Sequence, residues 1–208
     1  MDPPGLLAAG GDLSPARLLA AYERGIFPWY SDHQPILWWS PDPRMVLFPA
    51  ELHVSRSLHR RLRSGFFETR VDTDFAATIR ACAAPRRAGP GTWINPAMID
   101  AYESLYAAGY CHSVETYAAG RLVGGVYGLT LGGVFFGESM FSTVADASKV
   151  ALVRLVEECR ARGVELIDCQ VASAHLASLG AREIPRRTFL ADLARLARRE
   201  PSGSWAGA

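Results

Sequence analysis

Two acids and an amide stand out because the residues around them are apolar. Leu166-Ile167-Asp168-Cys169-Gln170 reads as the end of a buried strand, and strand alternation puts Asp168 and Gln170 on one face with Cys169 on the other. A carboxylate and an amide emerging side by side form a candidate catalytic pair; the competing reading is an end-of-strand Asp that caps the following helix. Glu138 lies in Phe135-Phe136-Gly137-Glu138-Ser139-Met140-Phe141-Ser142, an acid in an otherwise apolar strand. Such a carboxylate is rarely buried without a partner. Either Arg44 or Lys149 pairs with it structurally, or it receives a cationic substrate group. Glu115 poses the same question more weakly, and a structural role is expected for it. Cys169 has no evident His partner and faces away from Asp168, which makes it core rather than nucleophile.

Aromatic and basic residues form a second set of candidates. Trp29 and Trp93 stand beside Pro or Gly in loop-like contexts, where a tryptophan either stacks a base, worth roughly 1 to 3 kcal/mol, or fills a seam between units. Arg56, Arg60 and Arg63, with Arg195, Arg198 and Arg199 near the C-terminus, suit phosphate contacts or form ordinary solvated helix faces. Of the 22 basic residues only Lys149 is a lysine, so the positive surface is almost wholly the forked guanidinium. The net charge of +1 by itself points to no nucleic acid. The four cysteines (Cys82, Cys111, Cys159, Cys169) form no Cys-x-x-Cys, so no metal site is expected.

The elements that position these residues follow from periodicity. Ser14-Pro15 starts a short helix carrying Leu18, Leu19 and Tyr22 and ended by Gly25. Residues 27–44 are dense in Pro and Trp and read as a rigid, irregular segment. Beyond it Val54, Leu58 and Leu62 share a helix face opposite the arginines, 66–71 alternates as a strand, and 75–84 reads as helix. Asn95-Pro96 opens a helix with Ile99, Tyr102 and Tyr106 inward. Strands at 112–117, 121–129 and 134–141 make an antiparallel meander with Gly turns. A long helix capped by Asp146, a buried strand at 164–171, a short helix at 174–179, a possible strand and a helix at 189–199 complete the order, before a frayed tail from 200.

At 208 residues, 49% apolar and 21% charged, the chain can bury a good core, and chain-wide disorder is excluded. No apolar run approaches the roughly 20 residues of a membrane span. The acidic start Met1-Asp2-Pro3-Pro4 is unlike a secretory leader, so a cytoplasmic protein with no membrane contact is expected. The fold class is α+β, with a small N-terminal subdomain over residues 1–44 and a GNAT-like (acyl-CoA N-acyltransferase-like) mixed-sheet domain over 45–208. Fold analogy alone would allow an acetyl-CoA-dependent N-acetyltransferase. Against it, Arg121-Leu122-Val123-Gly124-Gly125-Val126, which vaguely resembles a pyrophosphate turn, runs on as strand rather than into a helix start. A noncatalytic RNA-binding module is the other alternative.

Several motifs, in this order, carry a specific resemblance: Gly10-Gly11-Asp12-Leu13-Ser14, Gly25-Ile26-Phe27-Pro28-Trp29, Trp38-Trp39-Ser40-Pro41-Asp42-Pro43-Arg44, Gly91-Thr92-Trp93-Ile94, His112-Ser113-Val114-Glu115, Phe136-Gly137-Glu138-Ser139-Met140-Phe141-Ser142, Leu166-Ile167-Asp168-Cys169-Gln170 and Ser178-Leu179-Gly180-Ala181. They resemble the bacterial leucyl/phenylalanyl-tRNA-protein transferases from residue 5 to about 190. The resemblance implies transfer of Leu or Phe, less well Met, from aminoacyl-tRNA to the α-amino group of proteins beginning with Arg or Lys, marking them for proteolysis. Its implied partners are leucyl-tRNA, phenylalanyl-tRNA and such proteins or peptides, with no cofactor or metal. Matched by motif, Trp29 and Trp93 would hold the 3′-terminal adenosine, and Val126, Phe135 and Leu152 would line the aminoacyl pocket. Asp168, Gln170 and Glu138 would form the polar reaction site, while Arg56, Arg60 and Arg63 are the candidates for tRNA phosphates. Val126 stands where family members often carry a larger residue such as Met.

Overall fold

The computed structural model describes residues 4–84, 93–200, 203 and 205; Gly91 and Thr92 of the loop motif lie outside them. The N-terminal part forms a three-stranded antiparallel sheet in which β3 (Leu37–Trp39) lies between β1 (Leu6–Ala9) and β2 (Phe27–Pro28). Helix α1 (Pro15–Tyr22) connects β1 to β2, with Pro15 in the first turn, where its missing N–H costs nothing. Residues 27–44, expected to be irregular, are mostly so, with short strand pieces only at Phe27–Pro28, Leu37–Trp39 and Arg44. Pro28 is tolerated because β2 is an edge strand. The indoles close the sheet from the side: Trp38 Nε1 donates to the Gly10 carbonyl at 2.8 Å and Trp39 Nε1 to the Trp29 carbonyl at 2.6 Å.

The remaining strands build one seven-stranded mixed sheet. Its order is β10 (Arg182–Ile184), β4 (Arg44–Leu47), β9 (Leu166–Gln170), β8 (Val134–Ser142), β7 (Arg121–Leu131), β6 (Cys111–Ala118) and β5 (Glu68–Val71). Every neighbouring pair is antiparallel except β8 with β9. That parallel pair requires a crossover, supplied by α5 (Ala147–Ala161). The buried residues of α5 and Leu58 of α2 (Arg56–Arg63) make one apolar cluster, with Leu176 of α6 (Ala174–Ala177) packed against it. Helices α1, α3 (Phe75–Ala83), α4 (Pro96–Ala107) and α7 (Arg186–Leu196) contribute to a separate cluster.

The meander, the long helix and the possible strand near the C-terminus are present as the sequence suggests, but other parts differ. Strand β4 went unforeseen because its pairing partner β9 is more than a hundred residues away. Helix α7 starts at Arg186, directly after Pro185, rather than at 189. In the tail, Trp205 is buried, its ring stacked 4.5 Å from that of His112, so frayed does not describe this residue. Asp146 does precede α5, yet its side chain makes no capping bond and instead meets Lys149 at 3.3 Å.

One irregularity in the sheet matters for the site. Between β7 and β8 the register moves from Tyr127↔Ser139 to Gly128↔Gly137, leaving Glu138 as the extra residue of a bulge, a device that re-aims a side chain. Gly128 permits it: a Cβ there would lie 2.1 Å from the Phe136 carbonyl oxygen and 2.5 Å from the Phe135 ring. Gly128→Ala is therefore expected to destabilise the protein by about 1 to 3 kcal/mol or more, seen as a lower urea midpoint with an unchanged m-value.

Candidate active site

The parallel pairing of β8 with β9 runs from Val134↔Leu166 through Phe136↔Asp168. The residues that follow on both strands, Gly137 to Ser142 and Cys169 to Val171, line a cavity of about 540 Å³. A crevice beyond the carboxyl ends of parallel strands is where α/β sheets commonly bind ligands. One wall is apolar: Val126, Met140, Leu152, Leu155, Ile167, Cys169 and Leu176 all belong to or pack on the α5 cluster. The polar wall carries Glu138 and Gln170, and Trp29 and Trp93 also border the opening. Trp29 is 43% exposed despite packing against Trp39, an unusual degree of exposure for a tryptophan and one that leaves ring face for a ligand.

Glu138 is nearly fully buried. Its Oε1 accepts from Tyr22 O–H at 2.7 Å and from Gln170 Nε2–H at 2.8 Å, and its Oε2 accepts from Tyr102 O–H at 2.8 Å; the two phenols also contact each other. Burial pushes the carboxyl up to about 7; the Asp168 carboxylate adds to the rise, and the three donors oppose it. The sequence reading that gave Glu138 an Arg44 or Lys149 partner is corrected here. Arg44 is committed to Asp168 and Lys149 to Asp146.

Asp168 is 0% exposed and lies beneath the wall, not on it. Arg44, equally buried, grips it with two hydrogen bonds, Nε to Oδ1 at 2.8 Å and Nη2 to Oδ2 at 2.6 Å. The guanidinium also lies over Phe27 and Phe189, 4.8 and 4.6 Å from the ring centroids. Asp168 Oδ1 accepts a further bond from the Gln170 backbone N–H at 2.9 Å. Gln170 has a φ of 65°, a left-handed conformation that a residue with a side chain adopts at a cost of roughly 1 to 3 kcal/mol. The Asp168 bond holds that turn, and the turn delivers the Gln170 amide to Glu138.

Of the three residues expected in the apolar pocket, Val126 and Leu152 line the cavity. Phe135 does not: it pairs with Ile167 one step before the last parallel pair and its ring lies 5.6 Å from Trp205. Cys169 faces away from Asp168 as alternation requires, yet it reaches the cavity wall, and burial pushes its thiol pKa up, which suits an inert contact. Arg56, Arg60 and Arg63 are exposed on α2 and make no ion pair with described residues. Arg60 lines a separate surface hollow with Asp146, and none of the three lines the cavity. Glu115 is structural, accepting from Ser113 and Thr73. The Gly124-Gly125 pair serves packing: a Cβ at Gly124 would lie 2.6 Å from the Ala147 Cβ of α5.

Comparison with known proteins decides the family. Residues 46–194 match the profile of the leucyl/phenylalanyl-tRNA protein transferase family, and residues 11–42 match that of its N-terminal domain. The chain belongs to the leucyl/phenylalanyl-tRNA-protein transferase family. The relative from Nitrosospira multiformis is 63% identical over 189 residues, 91% of this chain and 82% of its own. That from Aromatoleum aromaticum is 60% identical over 205 residues, 98% and 86%. Among solved structures, a GCN5-related N-acetyltransferase from Kribbella flavida superposes with a TM-score of 0.42 at 12% identity, covering 81% of this chain and 60% of that one. Among the described residues of this transferase-family chain, no helix is long and apolar enough to cross a membrane and no cluster of His, Cys, Asp and Glu could hold a metal.

Sequence reasoning missed Tyr22 and Tyr102 around the site, the pairing of Arg44 with Asp168, and Met140, Leu155 and Ile167 in the pocket. Arg44 carried a usable signal, a charge in the apolar run Met45-Val46-Leu47-Phe48 of the kind that singled out Glu138. The tyrosines carried none, because they read as ordinary core residues of helices. Arg44→Met strands a buried carboxylate and is expected to cost about 3 to 5 kcal/mol in urea unfolding.

Proposed function

We propose that this chain is an aminoacyltransferase that moves Leu or Phe, and less well Met, from aminoacyl-tRNA to the α-amino group of proteins beginning with Arg or Lys. The observation that carries this reading is one cavity joining an apolar wall, a buried acid and amide, and two bordering tryptophans. The relatives' names supply the donor and the two amino acids. Val126 and Leu152, with Met140, Leu155 and Ile167, receive the aminoacyl side chain; Phe135 backs that cluster from below. Trp29 and Trp93 stack the 3′-terminal adenosine, and Arg56, Arg60 and Arg63 meet the phosphates of the acceptor stem. A small N-terminal unit, residues 1–44, supplies Trp29, Tyr22 and Arg44, and residues 45–208 supply Trp93, Glu138, Asp168, Gln170 and the apolar pocket. The reaction takes place in the cytoplasm.

The ester of aminoacyl-tRNA is already activated, so the chemistry asks mainly for alignment of an amine with the ester carbon. Glu138 and Gln170 face the reactants and place the acceptor amine. Asp168 acts through Gln170 as a positioning residue, because both its oxygens are occupied beneath the wall. The acceptor amine, with an ordinary pKa near 7.7 to 8.0, attacks in its neutral form. An apolar pocket separates side chains by about 1 to 3 kcal/mol per methylene, so Leu and Phe are both accepted.

Incubation with leucyl-tRNA and matched peptides starting with Arg, Lys or Asp should, by mass spectrometry, add one leucine to the first two. No addition to any peptide from intact charged tRNA would sink the reading. Trp29→Ala is expected to raise KM for aminoacyl-tRNA by a factor of about 5 to 150, the equivalent of roughly 1 to 3 kcal/mol of stacking, with kcat nearly unchanged.

A further inference from the structure

Three contacts between oxygens close a ring beside the polar wall: Tyr22 with Glu138 Oε1, Glu138 Oε2 with Tyr102, and Tyr102 with Tyr22. Two oxygens at hydrogen-bonding distance need a proton between them, since facing lone pairs repel. Each phenol supplies one proton, and burial pushes both phenol pKa values up, so both keep it near neutrality. Two protons cannot satisfy three contacts. We propose that Glu138 is protonated in the empty cavity and shares a closed ring of three protons with Tyr22 and Tyr102. In that ring the Tyr102 contact runs opposite to the direction it takes with an ionised Glu138: the Oε2 hydroxyl donates to Tyr102, Tyr102 donates to Tyr22, and Tyr22 donates to Oε1. Oε1 then remains the carbonyl-type acceptor that also takes the Gln170 amide hydrogen at 2.8 Å.

The groups facing Glu138 from each packed element agree with this. On β4, Arg44 is committed to Asp168, and on β9, Asp168 is itself an anion. On β7 and β6, Tyr127 and Cys111 are buried neutral groups whose pKa values are raised by burial first and by Glu138 second. Helices α1 and α4 bring the two phenols. His175, which also lines the cavity, has its pKa pushed down by burial and then by Lys149. No cation among the described residues pairs with Glu138, so an ionised carboxylate there would be buried without a counter-charge. The consequence for the reaction rests on the reading of Glu138 as the acceptor's partner: a neutral acid holds no cation by charge, so an acceptor arriving as ammonium drives Glu138 to release its proton.

The test is a carbon-13 NMR titration of the wild-type protein labelled at glutamate side-chain carboxyls. One carboxyl is expected to titrate with a midpoint of about 7, well above an ordinary glutamate near 4.3, and to be missing from Glu138→Gln. If every glutamate carboxyl titrates below about pH 5.5, the proposal is overturned. Thermal melts give a second reading. A folded-state pKa above the unfolded one means stability is lost as pH rises from about 4.5 to about 7, so the wild type should fall in Tm relative to Glu138→Gln over that window. A gap between the two that is independent of pH overturns the proposal. Repeating the titration with a saturating peptide that begins with Arg should lower the Glu138 midpoint; an unmoved midpoint removes the acceptor role of Glu138 and leaves the proton ring standing.

Discussion

The buried pair of Arg44 and Asp168 is the constraint on which the site depends. Arg44 opens β4, the strand that follows the N-terminal sheet, and Asp168 sits where the parallel strands make their last pairing, so one ion pair ties the start of β4 to the floor of the cavity. Its guanidinium is also enclosed by Phe27 of β2 and Phe189 of α7. Desolvating two charges is expensive, and pairs of this kind are weak evidence of net stability. What this one does provide is geometry: Asp168 Oδ1, held in place by Arg44 Nε, also accepts the Gln170 N–H, and through it fixes the left-handed turn that aims the amide.

The acid and the amide on the cavity wall both arise from departures from regular strand. Glu138 is the surplus residue of a bulge and Gln170 is a non-glycine residue at positive φ. A regular ladder would have kept both residues in step with neighbouring strands. The irregularities occur where the hydrogen-bonding between β8 and β9 ceases, so the place where the sheet opens and the places where it bends coincide.

Local chemistry made much of this legible in the sequence. The Pro15 and Asn95-Pro96 helix starts, the Gly turns of the meander and the face-to-face alternation of Asp168, Cys169 and Gln170 each depend on residues a few positions apart, and all appear in the fold. Partners distant in sequence were not legible. Arg44 meets Asp168 across 124 positions and Tyr22 meets Glu138 across 116, and no local pattern records either pairing. The Pro and Trp content of residues 27–44 rightly suggested mostly irregular backbone but hid the short strands within it, because a proline on an edge strand and a tryptophan bonded to a neighbouring carbonyl look the same in sequence as they do in a loop. The identity of the acid at 138 was readable as unusual, but its true companions, two phenols and an amide, were not among the charged residues from which a partner was sought.

The seven-stranded sheet also acts as a partition. The apolar wall, with Val126, Met140, Leu152 and Leu155, belongs to the cluster on the α5 side, whereas Tyr22 and Tyr102, which hold Glu138, belong to the opposite cluster. The apolar wall and the phenols that hold the buried acid are therefore built from separate cores. A change in the size of an apolar wall residue such as Val126 is absorbed by packing on the α5 side and not by the phenols that hold Glu138, so the two walls of the cavity can vary independently.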